Sequence, residues 1–464
     1  MISFETKSTK ESTLFISFIW AIISGVLVLS LENNNTLISH NILVLFVLVS
    51  YLLCFITWRR AGGAITSVYN FFIAYALLSN LGASLIYSTL SWTNSAEFLK
   101  VYEFCTWNSV VDMLRFQLLC VSFMNLGTAL CVSKYPIYSP PEIDSSYSEP
   151  YSIVDTFWWI CSLFQLFLGI RYLFMRSTMT YMELDKEMVS EDWGLFGVLS
   201  TYGFLFLSML LLLKGRKIKL VYIFLVILSF LFMVAGKRYV AIRYVGALAV
   251  FMPLTHSKFF QRKYAGFWAL GVFAFLAFIN ILRMTRGDTL SAISVDDKGF
   301  FDLILGTFAE MGQSEWPAII IMDHLDGTGE RVYTLFSAFA RTFGLDVLLG
   351  FHTSQSLGVY VTRLMDAHYG LGGSYIAESF ANFGWYGCIY TLFYGWVIAF
   401  LEGYAYQNLN SSQKRLLSIA ILSLLLRQVF YARAQLDLCA FDLRMLFLIW
   451  LVTIVFNKNR NASY

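Results

Sequence analysis

The chain has 464 residues, of which 58% are hydrophobic and only 14% are charged, and its mean hydropathy is +0.64. Soluble domains carry roughly 25% charged residues, so this composition excludes a water-exposed globular protein. The net charge of +3 is too small to indicate nucleic acid as a partner. No linker-like tract divides the chain, so we interpret residues 1–464 as a single transmembrane domain.

Apolar segments long enough to cross a bilayer recur along the chain. A spanning helix needs about 20 mostly apolar residues, because lipid offers no hydrogen-bond partners and a helix satisfies its own backbone groups. The sequence therefore predicts an all-α polytopic membrane protein with about twelve transmembrane helices. The predicted spans are 13–31, 41–57, 64–90, 107–132, 153–175, 194–213, 218–236, 239–255, 265–282, 375–402, 415–432 and 441–457.

Clusters of lysine and arginine fall in alternate connections between these spans. Such clusters mark cytoplasmic loops, so the pattern predicts that both termini are cytoplasmic. The clusters are Arg59/Arg60, the run from Lys214 to Lys219, Lys258 with Arg262/Lys263, Lys414/Arg415, and Lys458/Arg460. On the opposite side, residues 283–374 form one large extracytoplasmic loop. Its amphipathic pieces at 300–308 and 333–340 predict short helices that lie on the membrane surface.

Other cations lie at the outward-facing ends of spans, against this charge rule. A charge at membrane depth costs at least about 3 kcal/mol, so a set of them indicates a compensating anion. A planar guanidinium group suits a phosphate or diphosphate. The alternative is that these side chains reach lipid headgroups or pair with acids such as Asp437 and Asp442. The candidate anion-binding residues are Lys237, Arg238, Arg243, Arg283, Arg286, Arg427, Arg433 and Arg444.

Three segments carry the most information. Gly236-Lys237-Arg238 predicts a very tight turn between two spans, with Arg238 and Arg243 on the following helix. The segment from Gly372 to Gly387 places Glu378 and Asn382 one turn apart on one helix face, while its glycines also suit close helix packing. The segment from Arg427 to Asp437 ends the eleventh span with cations and an acid.

These segments resemble the O-antigen polymerases of the Wzy type and the related enterobacterial common antigen polymerase. The resemblance covers residues 230–445 and rests on the basic turn, the large loop, the Gly-Gly-Ser-x-Ile-Ala-Glu-x-x-x-Asn-Phe-Gly-x-x-Gly segment and the late Ala-Arg-x-x-Leu-Asp motif. Carried over by position, Arg238 matches the turn arginine, and Arg433 with Asp437 matches the late motif. Glu378, Asn382 and Gly384 match the helix that follows the loop.

The resemblance implies a glycosyltransferase with GT-C-like architecture in the bacterial inner membrane. Its substrates would be oligosaccharide repeat units on undecaprenyl diphosphate, polymerised on the periplasmic face, with a chain-length regulator protein as a partner. A hydroxyl group of one unit would attack the anomeric carbon of the growing chain. The arginines would then stabilise the departing diphosphate without a cofactor or a metal ion.

The attacking hydroxyl group would benefit from a general base. Outer-side candidates are His324, His352, His368, Glu310 and Glu378, and the predicted catalytic set is His352, Glu378 and Arg433. The alternative for His352 is an exposed loop histidine without a catalytic role. Lys237, Arg238, Arg243, Arg283, Arg286, Arg427 and Asn382 are the predicted substrate-binding residues. Asp323-His324-Leu-Asp326 also invites a metal site or a catalytic dyad, although a single histidine among loop acids is more often simply solvated.

Three other functions stay open. A flippase for lipid-linked oligosaccharide would also need buried cations, but the chain shows no internal repeat of the kind alternating access favours. An O-antigen ligase would use the same arginine chemistry on the same carrier, so only the family motifs separate it from a polymerase. A non-enzymatic scaffold would leave the intramembrane arginines without a compensating role.

Overall fold

The computed structural model describes the chain as a set of helices. It covers residues 2–31, 36–90, 105–135, 152–179, 194–213, 215, 217–255, 305–308, 311–342, 345, 357–365, 372–411 and 414–433. Its α-helices are α1 (Ile2–Ser30), α2 (Leu37–Arg60), α3 (Val68–Leu90), α4 (Trp107–Lys134), α5 (Ser152–Thr178), α6 (Gly194–Leu213), α7 (Ile218–Val234), α8 (Arg238–Thr255), α9 (Trp316–Leu325), α10 (Thr334–Thr342), α11 (Leu357–Leu364), α12 (Tyr375–Phe383), α13 (Gly387–Asn408) and α14 (Arg415–Gln428). Single 3-10 turns occupy Gly312–Glu315, Gly384–Tyr386 and Val429–Arg433.

Seven of the described helical segments are long and apolar enough to cross a membrane, and three shorter apolar helices accompany them. The long segments are Thr9–Ser30, Leu37–Arg60, Val68–Ser88, Trp107–Lys134, Val154–Thr178, Tyr375–Asn408 and Arg415–Arg433, and the shorter ones are Ser200–Leu213, Ile218–Val234 and Val240–Met252. Each predicted span that falls on described residues coincides with one of these helices. The spans predicted at 265–282 and 441–457 lie outside the described residues, so the count of twelve stays a prediction.

The chain divides into two compact units. Unit 1 comprises residues 1–139, 308–421 and 427–464, and unit 2 comprises residues 140–307 and 422–426. Each unit is described by itself below, and the single transmembrane domain inferred from the sequence stays a prediction.

Helix α4 forms the centre of unit 1. It packs against α1, α2 and α13. Of the residues in its most apolar stretch, 78% are buried, whereas the corresponding share in α1 is 28%. Two glycines bring α4 and α13 into backbone contact: a Cβ atom on Gly127 would overlap the carbonyl oxygen of Leu392, and one on Gly395 would overlap that of Met124. Small residues therefore allow these two helices to cross at a short distance.

Helices α12 and α13 form one span interrupted at Gly384. This residue has a φ of 57°, which a side chain disfavours, and a Cβ atom there would also meet the guanidinium group of Arg331. A Cβ atom on Gly387 would overlap the carbonyl oxygen of Ser379. The close packing considered for the glycines of this segment is therefore present at Gly384 and Gly387.

Helices α9 and α10, both within residues 283–374, differ in burial. Helix α10 keeps the expected amphipathic form, with Phe336 and Phe339 exposed and Ala338 buried. Helix α9, in contrast, is buried along almost its whole length and packs against α4 and α12. Its first seven residues, Trp316–Met322, are all apolar, which suits a buried helix rather than a surface one.

Unit 2 contains the antiparallel helices α5, α6, α7 and α8. The Trp158 indole donates to the Ser208 hydroxyl at 2.9 Å, and Gln165 donates to the Ser200 hydroxyl at 2.5 Å, so α5 and α6 run in opposite directions. Helices α7 and α8 join through the turn predicted at Gly236, whose φ of 85° is in the left-handed region. The end of α5, the start of α6, the end of α7 and the start of α8 therefore share one end of this unit.

Candidate functional site

Glu378 and Asn382 lie on the same face of α12, as the sequence predicts. Both side chains are buried, and the Asn382 amide donates to the Glu378 carbonyl oxygen one turn earlier, at 2.8 Å. The helix begins at Ser374, whose hydroxyl oxygen accepts from the Ala377 N–H group at 3.2 Å. This N-cap fixes the start of α12 and hence the rotation of the Glu378 face.

The two side chains bind the first turn of loop helix α10. Thr334 donates from its hydroxyl group to Glu378 Oε1 at 3.0 Å and accepts from Asn382 Nδ2 at 2.8 Å. Asn382 Oδ1 also accepts from the Leu335 N–H group at 3.0 Å. The first N–H groups of a helix lack partners within it, so Asn382 acts as a cap supplied by another helix. This contact supports a role for Glu378 and Asn382 in fixing the loop.

Arg433 ends the 3-10 turn that follows α14. The turn is held by Asn80 of α3, whose amide donates to the Ala432 carbonyl oxygen at 2.8 Å. Tyr431 is fully buried, and its hydroxyl group lies 2.9 Å from that of Tyr390. Arg433 itself is half-buried, so the turn holds the backbone of this arginine while part of its side chain stays accessible.

Arg427 lies within the last part of the same span and is 6% exposed. Together with Arg433, it places two guanidinium-bearing residues at the end of one span of unit 1, as the sequence predicts.

Glu315 attaches the loop to α3. Its Oε1 accepts from the N–H groups of Ala83 at 3.0 Å and Ser84 at 3.3 Å, and its Oε2 lies 2.6 Å from the Ser84 hydroxyl oxygen. The approach depends on a pair of glycines, because a Cβ atom on Gly82 or Gly312 would overlap the backbone of the other segment. Burial raises the pKa of Glu315 to about 7 from an ordinary value of 4.5. Glu315 was not among the site residues predicted from the sequence.

The Asp323-His324-Leu-Asp326 motif also binds helix ends. Asp323 accepts from the hydroxyl groups of Thr106 and Ser109 at the start of α4, and Asp326 accepts from the Trp385 indole at 3.3 Å. Among the residues that the structure describes, no group of three or more His, Cys, Asp or Glu side chains could hold a metal ion. The contacts of this motif are therefore those of a structural anchor.

Unit 2 has its own group of cations, at the end where α5 and α7 finish. Lys237 and Arg243 are each 8% exposed, and the Lys237 carbonyl oxygen accepts the N–H groups of Val240 and Ala241 at the start of α8. Arg176, at the end of α5, is 2% exposed and donates to the Met179 carbonyl oxygen at 2.9 Å.

Arg171 and Arg176 were not among the predicted site residues. The available signal was their position at the outward end of the span predicted at 153–175, the same signal that identified Lys237. The antiparallel order of α5 to α8 places these arginines at the same end of unit 2 as Lys237 and Arg243.

Several predicted site residues cannot be placed. The general-base candidates His352, His368 and Glu310 lie outside the described residues, as do Arg283, Arg286, Arg444, Asp437 and Asp442. Arg238 begins α8, but the structure describes only its backbone. Their predicted roles therefore stay predictions.

The described helices define a multi-pass membrane protein in which buried cations and carboxylates lie at helix ends and loop contacts. The sequence model of the O-antigen polysaccharide polymerase Wzy family matches residues 12–461, almost the whole chain. The chain therefore belongs to the Wzy family of O-antigen polysaccharide polymerases, and the resemblance seen in the sequence is confirmed. Comparison with curated proteins and with solved structures found no significant match.

Proposed function

We propose that this protein polymerises oligosaccharide repeat units carried on undecaprenyl diphosphate into O-antigen or a similar surface polysaccharide. The reaction takes place on the periplasmic face of the bacterial inner membrane, within a GT-C-like arrangement of about twelve helices with both termini in the cytoplasm. A chain-length regulator protein is the expected partner. The observation that carries the proposal is the family match over residues 12–461.

The proposed reaction is a glycosyl transfer. A hydroxyl oxygen of the incoming repeat unit bonds to the anomeric carbon of the growing chain, while the bond from that carbon to the diphosphate oxygen breaks. Undecaprenyl diphosphate leaves with the electron pair, and the hydroxyl proton passes to a base, for which His352 is the candidate. The negative charge that develops on the diphosphate is the charge that positioned guanidinium groups would stabilise.

Two groups of described cations support this chemistry. Arg427 and Arg433 lie in unit 1. Lys237 and Arg243 lie in unit 2, where the backbone of Arg238 is also described. Guanidinium groups pair with phosphate oxygens through two parallel hydrogen bonds, which also orients the leaving group. We assign substrate binding to these residues and to Arg283 and Arg286.

Glu378 and Asn382 also have a role in the proposal, as residues that position the loop. Their described contacts are with Thr334 and Leu335 of the loop helix, so both residues fix α10 beside α12. A loop fixed in this way presents a defined surface to the sugar chain. Direct participation of the Glu378 carboxylate in catalysis stays a prediction.

Deletion of the gene tests the function itself. Gel analysis of the surface polysaccharide should show a single repeat unit on the lipid core and no ladder, because translocation and ligation would continue without polymerisation. A mutant that displays no repeat unit at all would instead indicate a flippase or a ligase.

The site is tested by complementing the deletion strain with Arg238→Ala, Arg283→Ala and Arg433→Ala variants. Each should abolish the ladder while the amount of membrane-inserted protein stays unchanged. If all three variants restore normal laddering, the diphosphate site lies elsewhere.

A further inference from the structure

Helix α3 connects the loop to the turn that carries Arg433. Ala83 and Ser84 of this helix donate to the buried carboxyl group of Glu315. One turn earlier, the Asn80 amide donates to the Ala432 carbonyl oxygen at 2.8 Å and to its own helix at Ala76 at 3.1 Å. Residues three and four apart in a helix are neighbours, so both attachments lie within one turn of α3.

The attachment through Glu315 tolerates little movement. Three donors of α3 converge on its two carboxyl oxygens, and the side chain is 1% exposed. The backbones also touch at Gly82 and Gly312, which leaves no room for a side chain on either residue. The loop therefore fixes both the position of this part of α3 along the helix axis and its rotation about that axis.

The attachment through Asn80 determines where the turn ends. Asn80 is 1% exposed, and the two residues before Arg433 are fully buried. Tyr431 packs edge-on against Tyr394, with ring centres 5.1 Å apart, and shares a hydroxyl contact with Tyr390. Arg433 follows directly, so a shift of α3 would displace the Ala432 carbonyl and the backbone of this arginine.

We propose that Glu315 and Asn80 are positioning residues for Arg433, which they hold at the site of diphosphate departure. The inference rests on the proposed function, in which Arg433 contacts the diphosphate of the lipid carrier. Stabilisation of a developing charge depends on donors that are already in place, and misplacement by about 1 Å can cost roughly 100-fold in rate. Neither residue touches the substrate in this scheme.

Purified protein in liposomes tests the proposal. The probe is the lipid-linked repeat unit extracted from the source strain after deletion of this gene. Glu315→Ala and Asn80→Leu should lower kcat per folded molecule by roughly 10- to 100-fold, with a smaller change in KM. Glu315→Gln should restore most of kcat, because its amide oxygen accepts from Ala83 and Ser84 and its amide nitrogen donates to the Ser84 hydroxyl group.

Glu402→Ala is the matched control. Glu402 is another fully buried carboxyl group bound to α3, but it accepts from the N–H groups of Val68 at 2.7 Å and Tyr69 at 2.8 Å, at the other end of the helix. About 15 residues separate the two sites, or roughly 22 Å along the helix. Glu402→Ala should lower the melting temperature much as Glu315→Ala does, yet leave kcat per folded molecule near that of the parent.

A double-mutant cycle separates positioning from general stability. If Glu315 acts through Arg433, the combination of Glu315→Ala with Arg433→Lys should cost little more in kcat than Arg433→Lys alone. The proposal is overturned by fully additive losses, by an unchanged kcat in Glu315→Ala, or by an equal loss in Glu402→Ala. Full activity of Arg433→Ala would instead refute the proposed role of Arg433 in diphosphate binding, on which the positioning proposal depends.

Discussion

Replacement of Glu315 by glutamine should remove a specific dependence of stability on pH. Burial holds the pKa of this carboxyl group at about 7 in the folded protein, against 4.5 when it is exposed. Each pKa unit corresponds to about 1.4 kcal/mol, so the difference amounts to about 3 kcal/mol in the free energy of unfolding.

The direction of the effect follows from proton binding. Below pH 4.5 the carboxyl group is protonated in both states and contributes its full hydrogen bonding to the fold. As pH rises from 4.5 to about 7, the unfolded chain releases the proton while the folded chain keeps it, so the free energy of unfolding falls. Above about pH 7 this loss is complete.

Glutamine mimics the protonated form of Glu315 and does not titrate. At pH 8 the Glu315→Gln variant should therefore be more stable than the parent by up to about 3 kcal/mol, and near pH 4.5 the two should be equal. The assay is denaturation in mixed micelles, followed by tryptophan fluorescence at a series of pH values.

Glu330→Gln supplies the control, because Glu330 is exposed on the same loop and the change in formal charge is the same. The free energy of unfolding of Glu330→Gln should change with pH in the same way as that of the parent. If the free energy of unfolding of Glu315→Gln also follows that of the parent from pH 4.5 to 8, the reasoning about the buried carboxyl group is refuted.

Further predictions concern other contacts of the structure. Asn382→Ala removes the cap of α10 and should lower the free energy of unfolding by about 1–2 kcal/mol, with faster proteolysis of the loop; an unchanged cleavage rate would contradict the anchoring. Gly127→Leu should force α4 and α13 apart and cost about 1–3 kcal/mol, visible as a lower yield of folded protein in size-exclusion chromatography. Gly25→Leu is its control, since a Cβ atom there meets nothing within 4 Å. Arg176→Ala should weaken binding of undecaprenyl diphosphate about tenfold or more, measured by thermal stabilisation, whereas Lys219→Ala at the opposite end of unit 2 should not; equal affinities would exclude Arg176 from the site.

The spans could be predicted from the sequence because a membrane-spanning helix can be recognised from its own contiguous residues. Lipid demands an unbroken apolar segment, so the predicted limits of α2 and α4 lie within a few residues of the observed helices. The Gly236 turn and the shared face of Glu378 and Asn382 were also predictable, since both depend only on short-range geometry.

The partners of the buried carboxyl groups could not be predicted in the same way. Glu315 binds backbone N–H groups that lie more than 200 positions away in the chain, and a backbone donor carries no residue-type signal. The contact requires Gly82 opposite Gly312, but an isolated glycine in an apolar helix has many explanations. Asp323 and Asp326 of the loop suggested a metal site or a catalytic dyad, although their described contacts are with Thr106, Ser109 and Trp385.

The crossing of α4 and α13 constrains how the protein is made. The two glycines that meet there, Gly127 and Gly395, leave the ribosome far apart in time, and the helices of unit 2 are synthesised between them. Helices α1 to α4 must therefore wait in the membrane without α13, while the N–H groups of Val68 and Tyr69 lack the Glu402 carboxylate. Assembly of unit 1 is consequently a late event of biogenesis, and truncated chains that end before α13 should be substrates for membrane quality control.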